Sequence, residues 1–333
     1  MQGMVNKTKT ALKTEEMVTA SDDDMWWGTL GTVRPFPDFN EEKDALQIQD
    51  ALKEKDVGTL VRILTNRTNA QRQSIVKAYH TLTKKDLAPA LKKALSGDLE
   101  SLLLGLLMLP GQFDAHRLRQ AMQGLGTDEE TLLEVLCTRT PQQLKDITAT
   151  YKQEYGKDLE KDLMSETSGD FTKLLQALLK RENSTGVIDE DAKDLINAVN
   201  GKKADVAVWI RILTTRDPDH LNKVFYRWEV ETGKTMAQAL QQHFGDTSGD
   251  LQLGLHTLVS CIQNPSLYLA QRIHSMKGAV VQGILVSHSE EDLLSVRVDY
   301  RRLTGTSLYS TLQKAYKGHL QEALLALCRS EDL

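Results

Sequence analysis

Nothing in the 333 residues is apolar for long enough to cross a bilayer. The longest apolar run, Leu102 to Leu109 with Gly105 inside it, falls far short of the ~20 residues that a spanning helix needs. The N-terminus also lacks the basic-then-apolar pattern of a secretory signal, so a cytoplasmic protein is expected. Positive charge is in deficit: Lys and Arg number 41 against 46 Asp and Glu, a net charge of −5. Such a chain repels a polyphosphate, which argues against nucleic acid as a partner. It meets an anionic bilayer only where something local reverses the field. Cysteine is scarce. Cys137, Cys261 and Cys328 stand far apart among apolar neighbours and read as buried free thiols of a reducing compartment, with a metal site or a cysteine nucleophile as the other reading. The eight histidines form no His-Glu-x-x-His pattern, and there is no Gly-x-Ser-x-Gly elbow, Walker loop or Cys-His motif. The expectation is therefore that the protein is not an enzyme.

What is present is repetition. Leu64-Thr65-Asn66-Arg67, Leu136-Cys137-Thr138-Arg139, Leu213-Thr214-Thr215-Arg216 and Leu285-Val286-Ser287-His288 align, with their last residues 72, 77 and 72 positions apart. Twelve residues later each copy has an aromatic, Tyr79, Tyr151, Trp228 or Tyr300. Further on come the turns at Gly97, Gly169, Gly249 and Gly318. Within a copy the apolar period is helical, as in Leu132, Leu133, Leu136 and Cys137, and strand signals are nearly absent. A period above seventy residues is too long for a two-helix solenoid repeat of ~34 to 47. Each copy should then be a small bundle of about five helices, giving an all-α protein. The division expected is a variable tail over 1–37 and copies over 38–110, 111–183, 184–264 and 265–333. The polar stretch Arg181 to Gly186 reads as a linker that divides the copies two and two. Repetition alone establishes architecture, not activity.

Chemistry points to copy two, in Met122-Gln123-Gly124-Leu125-Gly126-Thr127-Asp128-Glu129-Glu130. Two glycines flanking one residue let a backbone turn several carbonyl oxygens inward, which supplies hard ligands without side chains. The missing carboxylate is offered by Glu166, forty residues after Gly126 and at the other turn of the bundle. Calcium takes 6–8 oxygens, so the carbonyls of Met122, Gly124 and Gly126 with a bidentate Glu166 leave positions for water and a lipid phosphate. The plainer reading is a helix stop followed by a capping box from Thr127 to Glu130.

This Gly-x-Gly-Thr loop, the distant acid before Thr167-Ser168-Gly169-Asp170 and the four copies together resemble the annexin family over residues 38 to 333. The resemblance is to a vertebrate-type member of reduced calcium binding. It implies a curved disc of four annexin-type repeats whose convex face holds calcium ions against acidic phospholipid such as phosphatidylserine, with the N-terminal segment on the concave side. It places the main calcium site on Met122, Gly124, Gly126 and Glu166, and a minor neighbour on Thr127 and Glu129. A further minor site falls in copy one at Lys92, Leu95 and Glu100, where a helix-ending Gly97 is the plain alternative. The other copies depart from the pattern. Copy one reads Lys53 to Thr59 with Ala94 at the acid position; copy three has Lys203 and Ala204 where Gly and Thr are wanted, although Asp246 remains; copy four is shortened to Met276-Lys277-Gly278-Ala279-Val280 with Ala315. Several weak bridges gain from one another, so losing three loops blunts the response to calcium. Lys202 and Lys203 add direct attraction to anionic lipid of about 1 kcal/mol each if they lie at the surface.

The function expected is calcium-dependent binding of acidic membranes through copy two, by a cytoplasmic protein that becomes peripheral on membranes when calcium rises. The competing expectation is an annexin-fold scaffold for protein contacts with little or no calcium or lipid dependence. In the family the tail is the site of phosphorylation and of small EF-hand partners, which marks Ala11 to Val18 as a possible partner helix beside the alternative of a disordered tail. Trp26 and Trp27 are apolar enough to dock on the body.

Overall fold

A computed structural model describes residues 30–330 apart from Ser248, so the expectations for Ala11 to Val18 and for Trp26 and Trp27 fall outside the described residues. Among those described there are twenty α-helices and no strand, five helices to each copy. Repeat one holds α1 Glu41–Glu54, α2 Val57–Thr65, α3 Asn69–Thr83, α4 Leu87–Ala94 and α5 Gly97–Leu107. Repeat two holds α6 Pro110–Ala121, α7 Glu129–Thr138, α8 Pro141–Tyr155, α9 Leu159–Glu166 and α10 Gly169–Leu179. Repeat three holds α11 Ile188–Val199, α12 Val206–Thr215, α13 Pro218–Thr232, α14 Met236–Phe244 and α15 Gly249–Gln263. Repeat four holds α16 Pro265–His274, α17 Gly278–His288, α18 Leu293–Thr304, α19 Leu308–Ala315 and α20 Gly318–Cys328.

The recurring strings have local work to do. In repeats one and two the residue after the anchor arginine is a threonine that caps the third helix: Thr68 and Thr140 each accept from the backbone N–H three residues on, and Gln71 and Gln143 reach back to the cap. Asp217 caps α13 in the same place. The anchor arginines, buried in repeats one and two and partly buried in repeat three, are forked onto an acid of the first helix, Arg67 on Asp44 at 2.7 and 3.0 Å, Arg139 on Asp114 at 2.7 and 2.9 Å, and Arg216 on Asp191 at 2.8 and 3.0 Å. A bidentate, charge-assisted pair of this kind fixes where the third helix starts against the first. Repeat four has Leu269 and His288 at these positions. His288 instead reaches Asp292 through Nδ1 at 2.7 Å and faces a guanidinium N–H of Arg139 through Nε2 at 3.3 Å. Since Arg139 can only donate, Nε2 accepts and the proton sits on Nδ1, an assignment made from the network.

The two-and-two division at Arg181 to Gly186 is corrected by the cores. One continuous apolar core joins repeats two and three, and a second joins repeats one and four. The exchange is reciprocal: α15 packs on α7 and α10 on α12, while α20 packs on α2 and α5 on α17. The second helices demand it. In α7 every residue from Thr131 to Cys137 is buried, and in α17 every residue from Val280 to Leu285, so neither can be covered by its own repeat alone. The polar stretch is a connector that runs along repeat three, with Ser184 N–H donating to Thr215 O at 2.7 Å, and it links the two repeats that share a core. The three cysteines are buried and form no disulfide; burial pushes the Cys137 thiol up to about 12 and the Cys261 thiol well above its ordinary value, which makes both inert as nucleophiles.

Between the two halves lies a charged contact. Glu134 of α7 is 0% exposed and takes Arg117 of α6 at 2.6 Å and Arg272 of α16 at 3.1 Å. Gly283 of α17 makes room for this group, because a Cβ there would stand 2.5 Å from the Arg117 guanidinium. The segment before α1 closes repeats one and four from the outside. Thr32 is buried, its hydroxyl donates to Leu327 O at 2.6 Å, and the N–H groups of Thr32 and Val33 both donate to Ser289 O. Phe36 lies under the Arg67 guanidinium at 3.5 Å and exchanges two hydrogen bonds with the Gln71 side chain.

Candidate calcium and membrane site

In repeat two, seven residues from Met122 to Asp128 separate α6 from α7. The loop is closed at its base by Asp128 N–H donating to Ala121 O at 2.8 Å, and Asp128 then caps α7 by accepting from the Thr131 N–H and hydroxyl. Met122 is buried and anchors the entry, whereas Leu125 at the apex is 108% exposed. Gly124 and Gly126 have φ of +100° and +88°, conformations closed to most side chains, and this is why two glycines bracket the apex. Among the described residues no backbone N–H donates to the carbonyls of Met122, Gly124 or Gly126 in the loop's hydrogen bonds.

Glu166 is the last residue of α9, exposed, and its Oε2 receives the Thr127 hydroxyl at 3.4 Å. The carboxylate thus reaches the loop across thirty-nine residues of chain. Met122, Gly124, Gly126, Thr127 and Glu166 come together at one end of the bundle, and Glu129 begins α7 beside them. No group of three or more His, Cys, Asp or Glu among the described residues could hold a metal. The donors gathered here are one carboxylate and several carbonyls, an all-oxygen set suited to a hard cation that keeps water or a phosphate in its remaining positions. In repeat one, Lys92 lies in the last turn of α4, Leu95 is extended and buried just after it, and Glu100 is in the first turn of α5, so the three share one turn.

The equivalent loops differ in build. In repeat one only Lys55 and Asp56 separate α1 from α2, and Asp56 is spent capping α2 through Thr59. Repeat three keeps six residues, 200–205, and the basal bond from Asp205 N–H to Ala198 O at 2.7 Å. Neither Gly201 nor Lys203 takes a positive φ there, and Lys202 and Lys203 are exposed. Repeat four retains three residues, 275–277, and Lys277 lies 3.7 Å from Glu130 of repeat two. What sequence reasoning missed is Leu125 as an apolar tip and the arginine–aspartate forks; the constant spacing of Asp114 and Asp191 before Arg139 and Arg216 was the available signal.

Four five-helix bundles built on one recurring pattern define an all-helical repeat protein. The annexin family model matches residues 43–106, 113–178, 190–258 and 270–327, and the chain belongs to the annexin family, whose general property is calcium-dependent phospholipid binding. Annexin A9 of Mus musculus is 38% identical over 96% of this chain and 96% of its own length. The structure of annexin III superposes with a TM-score of 0.88 at 37% identity, covering 92% of this chain and 99% of that one. A calcium-bound annexin (Sm)1 superposes with a TM-score of 0.79 at 25% identity, covering 91% and 93%.

Proposed function

We propose that this chain is a binding protein without catalytic activity that attaches to acidic phospholipid surfaces through a single calcium bridge in repeat two. Met122, Gly124, Gly126 and Glu166 hold the ion, and Thr127 and Glu129 serve a weaker neighbouring position. The observation that carries the reading is the convergence of the Glu166 carboxylate on the Gly124–Gly126 loop through Thr127. Lys92, Leu95 and Glu100 form a subsidiary site. The calcium held by the (Sm)1 relative supports the class of ion. Repeats three and four contribute lysines at the matching loops, and repeat one a shortened loop, so attachment depends on one bridge and responds to calcium less steeply than four bridges would. Among the described residues no helix is long and apolar enough to cross a membrane, in keeping with attachment from one side when calcium rises.

The test is co-sedimentation with phosphatidylserine vesicles in millimolar calcium and in chelator. Binding that needs calcium supports the bridge; equal binding or none in both conditions sinks it in favour of a protein-interaction scaffold. The exposed Leu125 adds a second expectation. A leucine passing wholly from water into an apolar layer gains about 1.5–3 kcal/mol, so Leu125→Ser should weaken vesicle binding at saturating calcium by about tenfold. Because the side chain touches water on every side in the free protein, the thermal midpoint should not move.

A further inference from the structure

Where repeats two and three meet, α10 and α12 pack side by side and leave a groove of about 360 Å³. Its floor is apolar. Ala177 of α10 and Ala207 of α12 are too small to fill the gap, and Ile210 completes the lining between the charged ends. Thr214 and Thr215 line it too, but their hydroxyls donate to the carbonyls of Ile210 and Arg211 at 2.7 and 2.6 Å, so they offer the groove little beyond their methyl groups.

The rim is cationic. Lys173 stands one turn before Ala177, Lys180 and Arg181 follow the end of α10, and Arg211 stands one turn after Ala207. Among the described residues no Asp or Glu lines the groove. Lys173, Lys180 and Arg211 keep ion pairs with Asp170, Glu160 and Asp194 outside it, but the three cations are more than half exposed, and pairs of that kind hold their members weakly. Arg181 differs. It is partly buried, its Nη2 donates to Leu136 O at 3.2 Å, and its Nε is buried without a hydrogen-bond partner. A buried donor without an acceptor is destabilising, and a ligand oxygen would relieve it. The rim is not a by-product of the repeat. Counting from Gly169 and Gly318, repeat four has Glu322 where repeat two has Lys173, and Ser330 where it has Arg181.

We propose that this groove binds the anion of an unesterified long-chain fatty acid, its acyl chain along Ala177, Ala207 and Ile210 and its carboxylate at the end marked by Lys180, Arg181 and Arg211. A guanidinium fork matches a carboxylate, and a narrow apolar floor takes a chain of methylenes without needing hydrogen bonds. The site does not depend on the calcium reading, and its test is made in chelator. Laurate, below its micellar concentration, is titrated into the full chain with heat as the readout, beside decanoate and dodecyltrimethylammonium. Laurate should bind once per chain, decanoate about tenfold more weakly for the methylenes it lacks, and the cation not at all. Ala207→Phe, at an exposed position, puts a ring over the floor and should lower laurate affinity by about tenfold or more. Lys180→Gln combined with Arg211→Gln, both exposed, should lower it by about tenfold and leave the thermal midpoint of the free chain in place. The proposal is overturned if laurate gives no heat, if dodecyltrimethylammonium binds as tightly as laurate, or if Ala207→Phe and the double variant bind laurate as the unmodified chain does. Two further results would give the groove another occupant and overturn it as well. Dimers in sedimentation that Ala207→Phe dissolves would make it a contact between copies of the chain. Calcium-free pelleting with phosphatidylserine vesicles that Ala207→Phe abolishes would place the acyl chain in a bilayer lipid.

Discussion

Glu166→Gln should abolish vesicle binding at calcium concentrations that saturate the unmodified protein. Glutamine keeps one carbonyl oxygen in place but loses the only carboxylate among the donors, and it cannot offer two charged oxygens to one ion. Calcium loops set their affinity largely by the number of charged ligands, and losing the sole charge should lower affinity by about a hundredfold. Glu166 is exposed, and among the described residues its side chain makes a single hydrogen bond, the 3.4 Å approach of the Thr127 hydroxyl, so the variant should unfold where the unmodified chain does. The measurement is co-sedimentation across a calcium series beside a thermal melt. Binding at unchanged calcium would move the bridge to another repeat, with Lys92, Leu95 and Glu100 the next place to look.

The largest effect on stability is expected from Glu134→Gln. Glu134 sits fully buried between Arg117 and Arg272, which themselves are nearly buried. Burial alone would push its carboxyl up, but the Arg117 charge and hydrogen bond, with the Arg272 charge beyond them, hold it below the ordinary range. Neutralising it leaves two guanidinium groups in the interior with no central counter-charge, and removing one partner of a buried pair costs about 3–5 kcal/mol. The urea midpoint should fall accordingly. The double variant Arg117→Met with Glu134→Met should recover most of the loss, since Arg272 keeps Glu130 at 2.7 Å and Thr131 at 3.0 Å. A double variant as unstable as the single one would mean that the cost lies in packing and not in charge. The same depression gives a pH dependence. Glu134 and Asp114 both titrate lower in the folded chain than when unfolded, so each contributes its stability above the unfolded carboxylate range and loses it as pH falls through the folded value. Stability should decline below about pH 4.

The helices and their grouping by fives were legible because each copy carries its own apolar period and its own cap. The copy-two loop was legible because Gly124 and Gly126 mark a backbone that must bend through positive φ, and that requirement is written in two letters. The partnering of the repeats was not. Every copy has the same pattern, so nothing in Arg181 to Gly186 says whether a connector divides two cores or crosses one. The answer lies in the unbroken burial of α7 and α17, a property of three-dimensional cover. The Glu134 contact was hidden for a similar reason, since Arg272 lies 138 residues away.

The sharing of one core by the first and last repeats sets an order on synthesis. As the chain emerges, repeats two and three can complete their common core while repeat four is still being made. Repeat one, finished earliest, must wait with its α2 and α5 surfaces uncovered until α20 and α17 arrive. Contacts so distant in sequence form slowly, and the exposed apolar faces are open to wrong partners in the interval. A nascent chain stalled after residue 264 should therefore hold a finished centre and an orphaned beginning, and that orphan is the part that a chaperone would have reason to grip.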